Sequence, residues 1–280
     1  MRPFTEGCVV AMELGLSGRT AVITGGSKGI GRAIARGLAS QGVGLVLIAR
    51  NAEMLEKTAD DIQKESGVRV VAACADITST EQVDAAAKTA KDAFGSVHIV
   101  VNNAGGPMRR MDRQIMWPDA DWIGDLDNKI LGALRVTRAF LPLMPGDGTG
   151  RIINISGTAS TIVWAPALTH GLNNAAMNQA TGYLATDLAS QQITVNTVVP
   201  GLVGTEGREG WAENMAKQQN VSKEEFVASF CKRMGILAGR WAGMDEVADT
   251  VVFLASDRAR YYNGAKIVLD GGLNVNARPA

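Results

Sequence analysis

The sequence predicts a single α/β domain in which helices cover both faces of a doubly wound parallel sheet of about seven strands. Short apolar runs recur along the chain, and longer segments with a 3.6-residue apolar period separate them. A glycine-rich turn joins the first apolar run to the first helical segment. Strict alternation of strand and helix is typical of parallel sheets, because parallel neighbours need a crossover connection between them.

Seven apolar runs are predicted as buried strands, since each is short and nearly free of charge. They cover residues 20–24, 44–49, 68–73, 97–102, 151–156, 193–199 and 265–270. The predicted helices between them cover residues 31–41, 52–65, 80–94, 125–144, 173–190 and 245–256.

One segment interrupts this alternation: residues 206–240 are mostly helical and precede the last helix. An insertion after the carboxyl end of a parallel strand is where a substrate lid is expected, although an ordinary surface excursion has the same pattern. Residues 1–15 are predicted as an N-terminal extension without regular structure, in which Met12 resembles a second start. Residues 16–280 then form the one domain.

Composition excludes several classes of protein. Lys and Arg together equal Asp and Glu at 28 each, so no overall field favours nucleic acid or an anionic membrane. The three cysteines are far apart and form no CxxC or Cys/His cluster, which argues against a metal site or a disulfide framework. No apolar run reaches the roughly 18 residues of a membrane helix. The N-terminus is too weakly apolar for a signal peptide, so a cytoplasmic protein is expected.

The turn "TGGSKGIG" at residues 24–31 follows the first strand and opens the first helix, as in Rossmann-type nucleotide sites. Gly25 permits the tight turn, Gly29 lets the backbone approach a pyrophosphate, and Gly31 allows close packing of the helix. The second strand ends in Ala49 and Arg50, where an NAD enzyme usually carries Asp or Glu. With Lys28 in the turn, this favours the 2′-phosphate of NADP, unless both cations are merely solvated.

These motifs resemble the short-chain dehydrogenase/reductase family from about residue 16 to residue 273. The motifs "TGGSKGIG", "ADI" (75–77), "NNAG" (102–105), "PGLVGT" (200–205) and "LDGG" (269–272) occur in family order and spacing. The resemblance implies an NADP(H) site. Its residues would be Gly25, Ser27, Lys28, Gly29, Ile30, Gly31, Arg50, Asp76, Ile77, Asn103, Ala104, Gly105, Pro200, Gly201, Val203 and Thr205.

The expected catalytic set of the family, Asn, Ser, Tyr and Lys, is missing from its usual positions. By spacing, the Ser position is Gly157, the Tyr position is His170 and the Lys position is Asn174. The Asn position is Lys129, although a slip of one residue would place Asn128 there.

His170 and Asn174 are four residues apart and therefore share one face of a helix. A nearby Lys129 and an oxidised nicotinamide would both disfavour imidazolium, so a neutral His170 would polarise a carbonyl or act as a base. Thr158 is the second choice for an oxygen-orienting hydroxyl.

Three functions fit the sequence. The first is an NADP(H)-dependent oxidoreductase acting on a carbonyl or a conjugated enone or enoyl compound through a His170, Asn174 and Lys129 site. The second is a non-redox lyase or isomerase that uses His170 as base. The third is a catalytically silent subunit that pairs with an active relative.

The partners expected are a small molecule and further copies of the chain. A largely apolar substrate is expected to meet Trp164, Trp211 and Met215. The resemblance implies that residues 129–144 and 175–188 form a helical contact in a homodimer or homotetramer. No metal is expected.

Overall fold

A computed structural model describes residues 13–105, 113–164 and 167–275. Seven parallel strands form one sheet in the order β3-β2-β1-β4-β5-β6-β7, which confirms the predicted doubly wound arrangement. The strands are β1 (Thr20–Thr24), β2 (Gly44–Ala49), β3 (Val70–Cys74), β4 (Ile99–Asn102), β5 (Arg151–Ile155), β6 (Thr194–Pro200) and β7 (Lys266–Leu269). Most of the predicted N-terminal extension lies outside the described residues.

Helices cover both faces of this sheet. They are α1 (Gly29–Ala39), α2 (Ala52–Ser66), α3 (Thr80–Phe94), α4 (Asp119–Leu126), α5 (Gly132–Phe140), α6 (Leu168–Asp187), α7 (Glu206–Gln219), α8 (Lys223–Met234) and α9 (Met244–Ala255). Helices α1, α2 and α9 pack on one face, and α3, α5 and α6 pack on the other. Neighbouring strand residues point to opposite faces, so Ile23 joins the first core and Val22 joins the second.

The observed strands differ from the predicted ones only at their ends. Strands β1 and β2 match the predicted residues, whereas β4 begins two residues after the predicted start. The backbone N–H of Val97 donates to the carbonyl of Leu143, outside the sheet, and the ladder therefore starts after it. The apolar run at residues 97–102 is longer than strand β4, because Val97 is buried in the core without pairing in the sheet.

The predicted insertion at residues 206–240, here called the lid segment, contains α7 and α8 and has an aromatic core of its own. The ring of Trp211 lies 5.4 Å from the rings of both Phe226 and Phe230, centroid to centroid, and 6.3 Å from Trp241. Met215 packs against the same cluster. Trp211 and Met215, expected to meet a substrate, therefore contribute first to the packing of the lid segment.

The glycine-rich turn depends on a close approach between two backbones. Gly25 and Gly29 have φ values of 68° and 56°, which side chains rarely adopt. A Cβ on Gly31 would overlap the carbonyl oxygen of Gly25, so only hydrogen fits between the turn and α1. The N–H of Gly25 donates to the carbonyl of Ile48 at 2.7 Å and fixes the turn against β2.

We expect Gly31→Ala to lower the free energy of unfolding by about 1–3 kcal/mol, because the added methyl group must displace the backbone of the turn. The matched control is Gly182→Ala in α6, where no atom lies within 4 Å of the added Cβ. That change is expected to stabilise by about 0.5–1 kcal/mol. Urea unfolding measures both variants, and equal effects would contradict the close approach.

Candidate active site

The side chains at the predicted catalytic positions meet at the carboxyl end of β5. Gly157 follows this strand, and a Cβ placed on it would lie 3.2 Å from Nδ2 of Asn174 and 3.8 Å from Nε2 of His170. His170 and Asn174 both project from α6, one turn apart. The structure thus brings three of the four predicted positions together around one small space.

Asn174 is the least satisfied polar side chain of this group. It is 1% exposed, and neither Oδ1 nor Nδ2 has a hydrogen-bond partner within the described part of the chain. A buried amide without partners is costly, and such groups in folded proteins are usually paired. Both polar atoms of Asn174 therefore remain unpaired within the described residues, beside Gly157.

Lys129 lies in a π-helical segment, residues 127–131, between α4 and α5. Its Nζ donates to the carbonyl oxygen of Ile155 at 2.7 Å and lies 3.2 Å from the position of a Cβ on Gly105. Lys129 thus reaches the carboxyl ends of β4 and β5. Burial lowers the pKa of the Lys129 ammonium to about 8, so it remains mainly protonated at pH 7.

His170 is held in its neutral form. Burial lowers the pKa of its imidazole, and the positive charges of Lys129 and Arg208 lower it further. Asp125 acts in the opposite direction but does not reverse the shift. A neutral imidazole can donate one hydrogen bond and accept another, which suits either a polarising group or a base.

The hydroxyl groups near Gly157 are placed differently from one another. Ser156 Oγ donates to Oδ1 of Asn178 at 2.7 Å and is therefore engaged. Thr158, the second choice for orienting a substrate oxygen, begins a short 3₁₀ turn. Ser160 Oγ in the same turn is buried without a partner in the described residues. The sequence does not indicate that Ser160 is buried, because its burial depends on how the turn packs on α6.

A chain of buried side-chain hydrogen bonds holds α6 against the sheet. Asn102 on β4 donates to Asn154 on β5 at 2.9 Å, and Asn154 donates to Thr181 on α6, also at 2.9 Å. The Thr181 and Thr197 hydroxyl oxygens lie 2.6 Å apart. These bonds connect three neighbouring strands to the helix that carries His170 and Asn174.

The glycine-rich turn presents an open helix N-terminus. The residue before α1, Lys28, has an extended backbone, makes no side-chain cap and leaves the first N–H groups of the helix available. The first turn of α1 contains no acidic residue, and the atoms closest to a Cβ placed on Gly29 are Oε2 of Glu206 at 3.8 Å and Cγ2 of Thr205 at 4.0 Å. The Glu206 carboxylate is itself bound to Arg32. The N–H groups and the helix dipole at this end favour an anion such as a pyrophosphate. Thr58 fixes the turn from α2 by donating to the carbonyl of Ser27 at 3.0 Å, and Ile30 packs against the first core.

Two exposed cations flank this turn. Lys28 lies at its tip, and Arg50 follows β2 with Nη1 3.9 Å from the carboxylate of Asp76. Burial raises the pKa of Asp76, but hydrogen bonds from Thr78 and the Arg50 charge outweigh it and leave a net lowering. Ile77 next to it is buried, and its carbonyl accepts from Arg135 at 2.6 Å.

The segment after β4 is tied to the glycine-rich turn. Asn103 Nδ2 donates to the carbonyl of Thr24 at 2.9 Å, and the Thr24 hydroxyl accepts from the backbone N–H groups of Asn103 and Ala104. The Asn103 side chain therefore ties the segment after β4 to the end of β1, and together these residues form the floor of the candidate site. Gly105 continues this floor towards Lys129.

The segment at residues 200–205 leads from β6 into the lid segment. Pro200 ends β6, and a Cβ on Gly201 would lie 2.9 Å from the Cα of Asp270. Val203 forms an isolated parallel bridge with Ala242, and Thr205 precedes α7. The structure therefore brings all the predicted cofactor positions to the carboxyl edge of the sheet.

No group of three potential metal-binding side chains occurs in the described ranges, and no helix there is both long and apolar enough to cross a membrane. The other histidine, His98, accepts a hydrogen bond from the backbone N–H of Thr20 at 3.1 Å, as expected of a structural residue.

Comparison with known proteins identifies related sequences and structures. Residues 25–274 match the family model described as enoyl-(acyl carrier protein) reductase. Oxidoreductase UcpA of Escherichia coli (strain K12) is 37% identical over 92% of this chain and 95% of its own length. Gluconate 5-dehydrogenase of Gluconobacter oxydans is 31% identical, over 93% of this chain and 96% of its own. The crystal structure of L-sorbose reductase from Gluconobacter frateurii, complexed with NADPH and L-sorbose, has a TM-score of 0.87 and 32% identity, covering 94% and 99% of the two chains.

We expect the pKa of His170 in the free protein to lie below the ordinary histidine value, and Lys129→Met to raise it by removing a neighbouring positive charge. The chain contains two histidines, so NMR titration can follow both imidazoles, with His98→Gln assigning the signals. Lys88→Met, which removes an exposed cation paired with Asp92, is the control and should leave the pKa of His170 unchanged. A His170 that titrates above the ordinary value would contradict this electrostatic account.

Proposed function

The chain belongs to the short-chain dehydrogenase/reductase family, and from that membership we propose that it is an NADP(H)-dependent oxidoreductase in which His170 stands in for the tyrosine. The observation that carries the proposal is the meeting of a neutral His170 and an unpartnered Asn174 beside Gly157. Ionisable and polar groups buried without partners are typical of functional sites.

The residues of the glycine-rich turn fit a dinucleotide phosphate. The open N-terminus of α1 would bind the pyrophosphate, and Lys28 and Arg50 would bind the 2′-phosphate. Asn103, Ala104 and Gly105 with residues 200–205 would enclose the nicotinamide side. When bound, the cofactor supplies or accepts the hydride. The L-sorbose reductase complex with NADPH supports the same use of the cofactor here.

His170 would handle the proton. In the oxidation R₂CHOH + NADP⁺ → R₂C=O + NADPH + H⁺, a neutral imidazole accepts the hydroxyl proton while the carbon loses its hydride. Because burial and Lys129 lower its pKa, His170 is already a free base at neutral pH. Oxidation would therefore stay active as the pH rises. In the reverse direction, His170 would polarise the oxygen of a ketone or a conjugated enone by hydrogen bonding, and the proton that the product takes up would come from solvent.

Asn174 and Lys129 would support this step from two sides. Asn174 has an unused donor and an unused acceptor, enough to orient a substrate oxygen or a cofactor hydroxyl. Lys129 holds the carbonyl of Ile155 and, with a pKa of about 8, would exchange protons with solvent near neutral pH.

A further copy of the chain would cover the helices beside the site. Leu131 and Tyr183 are exposed on the segments predicted to form a homodimer or homotetramer. Burial of such side chains against a second copy would remove apolar surface from water.

We expect wild-type protein to bind NADPH more tightly than NADH, and Arg50→Asp to weaken NADPH binding about tenfold or more by replacing a phosphate-binding cation with a like charge. Fluorescence titration of the bound cofactor measures both. Arg260→Asp is the control for an introduced carboxylate, because Arg260 is exposed and lies outside the proposed cofactor site and the predicted contact segments. If NADPH and NADH bind alike before and after the change, Arg50 has no part in cofactor choice.

We expect His170→Phe to lower turnover by about 10²-fold or more, because the variant has no group that can accept the substrate proton. NADPH binding should be spared, because an aromatic ring of similar size remains. Absorbance of the nicotinamide with a panel of ketones, enones and hydroxy acids measures turnover. Light scattering checks that the variant keeps the assembly of the wild type, proposed to be a dimer or a tetramer. Undiminished turnover in the variant would exclude His170 from the reaction.

A further inference from the structure

Arg208 stands in the first turn of α7, within the lid segment, and its side chain is partly buried. Its Nε is buried and has no hydrogen-bond partner within the described residues. Burial lowers the pKa of Arg208, although a guanidinium stays protonated across the physiological range. The positively charged guanidinium of Arg208 is thus partly desolvated, and its Nε–H donor has no partner among the described residues.

The carboxylates nearest to Arg208 along α7 are already bound elsewhere. Glu206 pairs with Arg32 of α1, and Glu209 pairs with Nζ of Lys223 at 3.0 Å. Arg208 has no ion pair among the described residues, in contrast to these neighbours. A buried arginine is normally paired with a carboxylate or another anion, because its desolvation is otherwise uncompensated.

Trp241 fixes the direction of this side chain. The Cζ of Arg208 lies 5.6 Å from the centroid of the Trp241 ring, within the range of a cation–π contact. Trp241, which directly follows the lid segment, itself stacks with Trp211 of α7. Arg208 therefore stands on a rigid aromatic support.

Contacts of Trp241 place Arg208 beside the candidate active site. Ala242, the next residue, forms a bridge with Val203, and Ile162, two residues after Ser160, packs on the same aromatic cluster as Trp241.

The positive charge of Arg208 accordingly lowers the pKa of His170. Lys129 also acts on His170, but its ammonium is bound to the carbonyl of Ile155. Asp125 acts on the pKa of His170 with the opposite sign. An anionic group on a ligand would be repelled from Asp125 and attracted to Arg208.

Building on the proposed function, we infer that the substrate carries a carboxylate, as a hydroxy acid or an oxo acid does, and that Arg208 binds this carboxylate. The planar guanidinium matches the two oxygens of a carboxylate and can donate to both. A single guanidinium neutralises one negative charge, which suits a carboxylate better than a phosphate dianion. The relatives differ in this property: one is named for gluconate, an acid, and another binds L-sorbose, an uncharged sugar. Arg208 places this chain with the acid.

Matched pairs of ligands test the inference directly. Gluconate is compared with sorbitol, and lactate and glycerate with propane-1,2-diol and glycerol, by thermal shift and calorimetry, each with and without NADPH. We expect at least one acid to bind wild-type protein about tenfold to a hundredfold more tightly than its alcohol, as a charge-assisted bidentate contact provides. If no acid of the panel binds more tightly than its alcohol, the inference is wrong.

Two variants assign the preference to Arg208. Arg208→Met should reduce the preference for the acid over its alcohol to within about twofold. Arg208→Lys should retain part of this preference, because the positive charge remains while the bidentate guanidinium is lost. Arg233→Met is the matched control: Arg233 also lies over a ring of the lid core, 5.3 Å from the Phe230 centroid, but is exposed on α8. An acid preference that survives Arg208→Met, or falls equally in Arg233→Met, would overturn the role of Arg208.

The NADPH arm separates this inference from the proposed function. Wild-type protein that prefers acids but does not bind NADPH would support the carboxylate site and refute the oxidoreductase. Protein that binds NADPH but shows no preference for acids would leave the oxidoreductase proposal standing and refute the carboxylate site.

Discussion

The buried hydrogen bonds from Asn102 through Asn154 to Thr181 are the interaction on which the rest of the site depends. Amide and hydroxyl groups inside an apolar core must find specific partners, so they tolerate one arrangement of the sheet and α6. Apolar packing alone would allow α6 to slide along the sheet, because it is not directional. With these bonds made, the first turns of α6 stand beside the end of β5. The meeting of His170, Asn174 and Gly157 follows from that placement.

The pKa of His170 depends on burial and on the charged groups around it, some of which are already bound to other partners. Glu206 is bound to Arg32, and Lys129 is bound to a carbonyl. Asp125 opposes the positive groups only in part, so that burial, Lys129 and Arg208 together leave the pKa of His170 lowered. An imidazole in this state differs from a phenol, which needs a neighbouring cation to lose its proton near neutral pH. If His170 and Lys129 take the roles proposed for them, a histidine in place of the tyrosine and a lysine at position 129 would be parts of one electrostatic change.

Local rules were sufficient for the sheet and for the glycine-rich turn. The runs at 20–24 and 44–49 are apolar along their whole length and bounded by glycine or by polar residues, so their ends were visible in the sequence. The convergence of His170 and Asn174 followed from helical spacing. Other features depend on contacts between distant residues and were not predictable from local patterns. The π-helical segment at 127–131 is one, and the burial of Arg208 against Trp241 is another. A charged residue in an exposed-looking helix gives no sign that a tryptophan 33 positions later will lie beneath it.

The bare backbone at Gly157 also restricts how this site could have evolved. A Cβ there would stand 3.2 Å from the amide of Asn174, closer than most side-chain contacts. A serine placed at 157 would therefore meet resistance while asparagine occupies 174, and its effect depends on that second position. Substitutions at these two positions are expected to be non-additive, so that a side chain at 157 is best tolerated together with a smaller residue at 174.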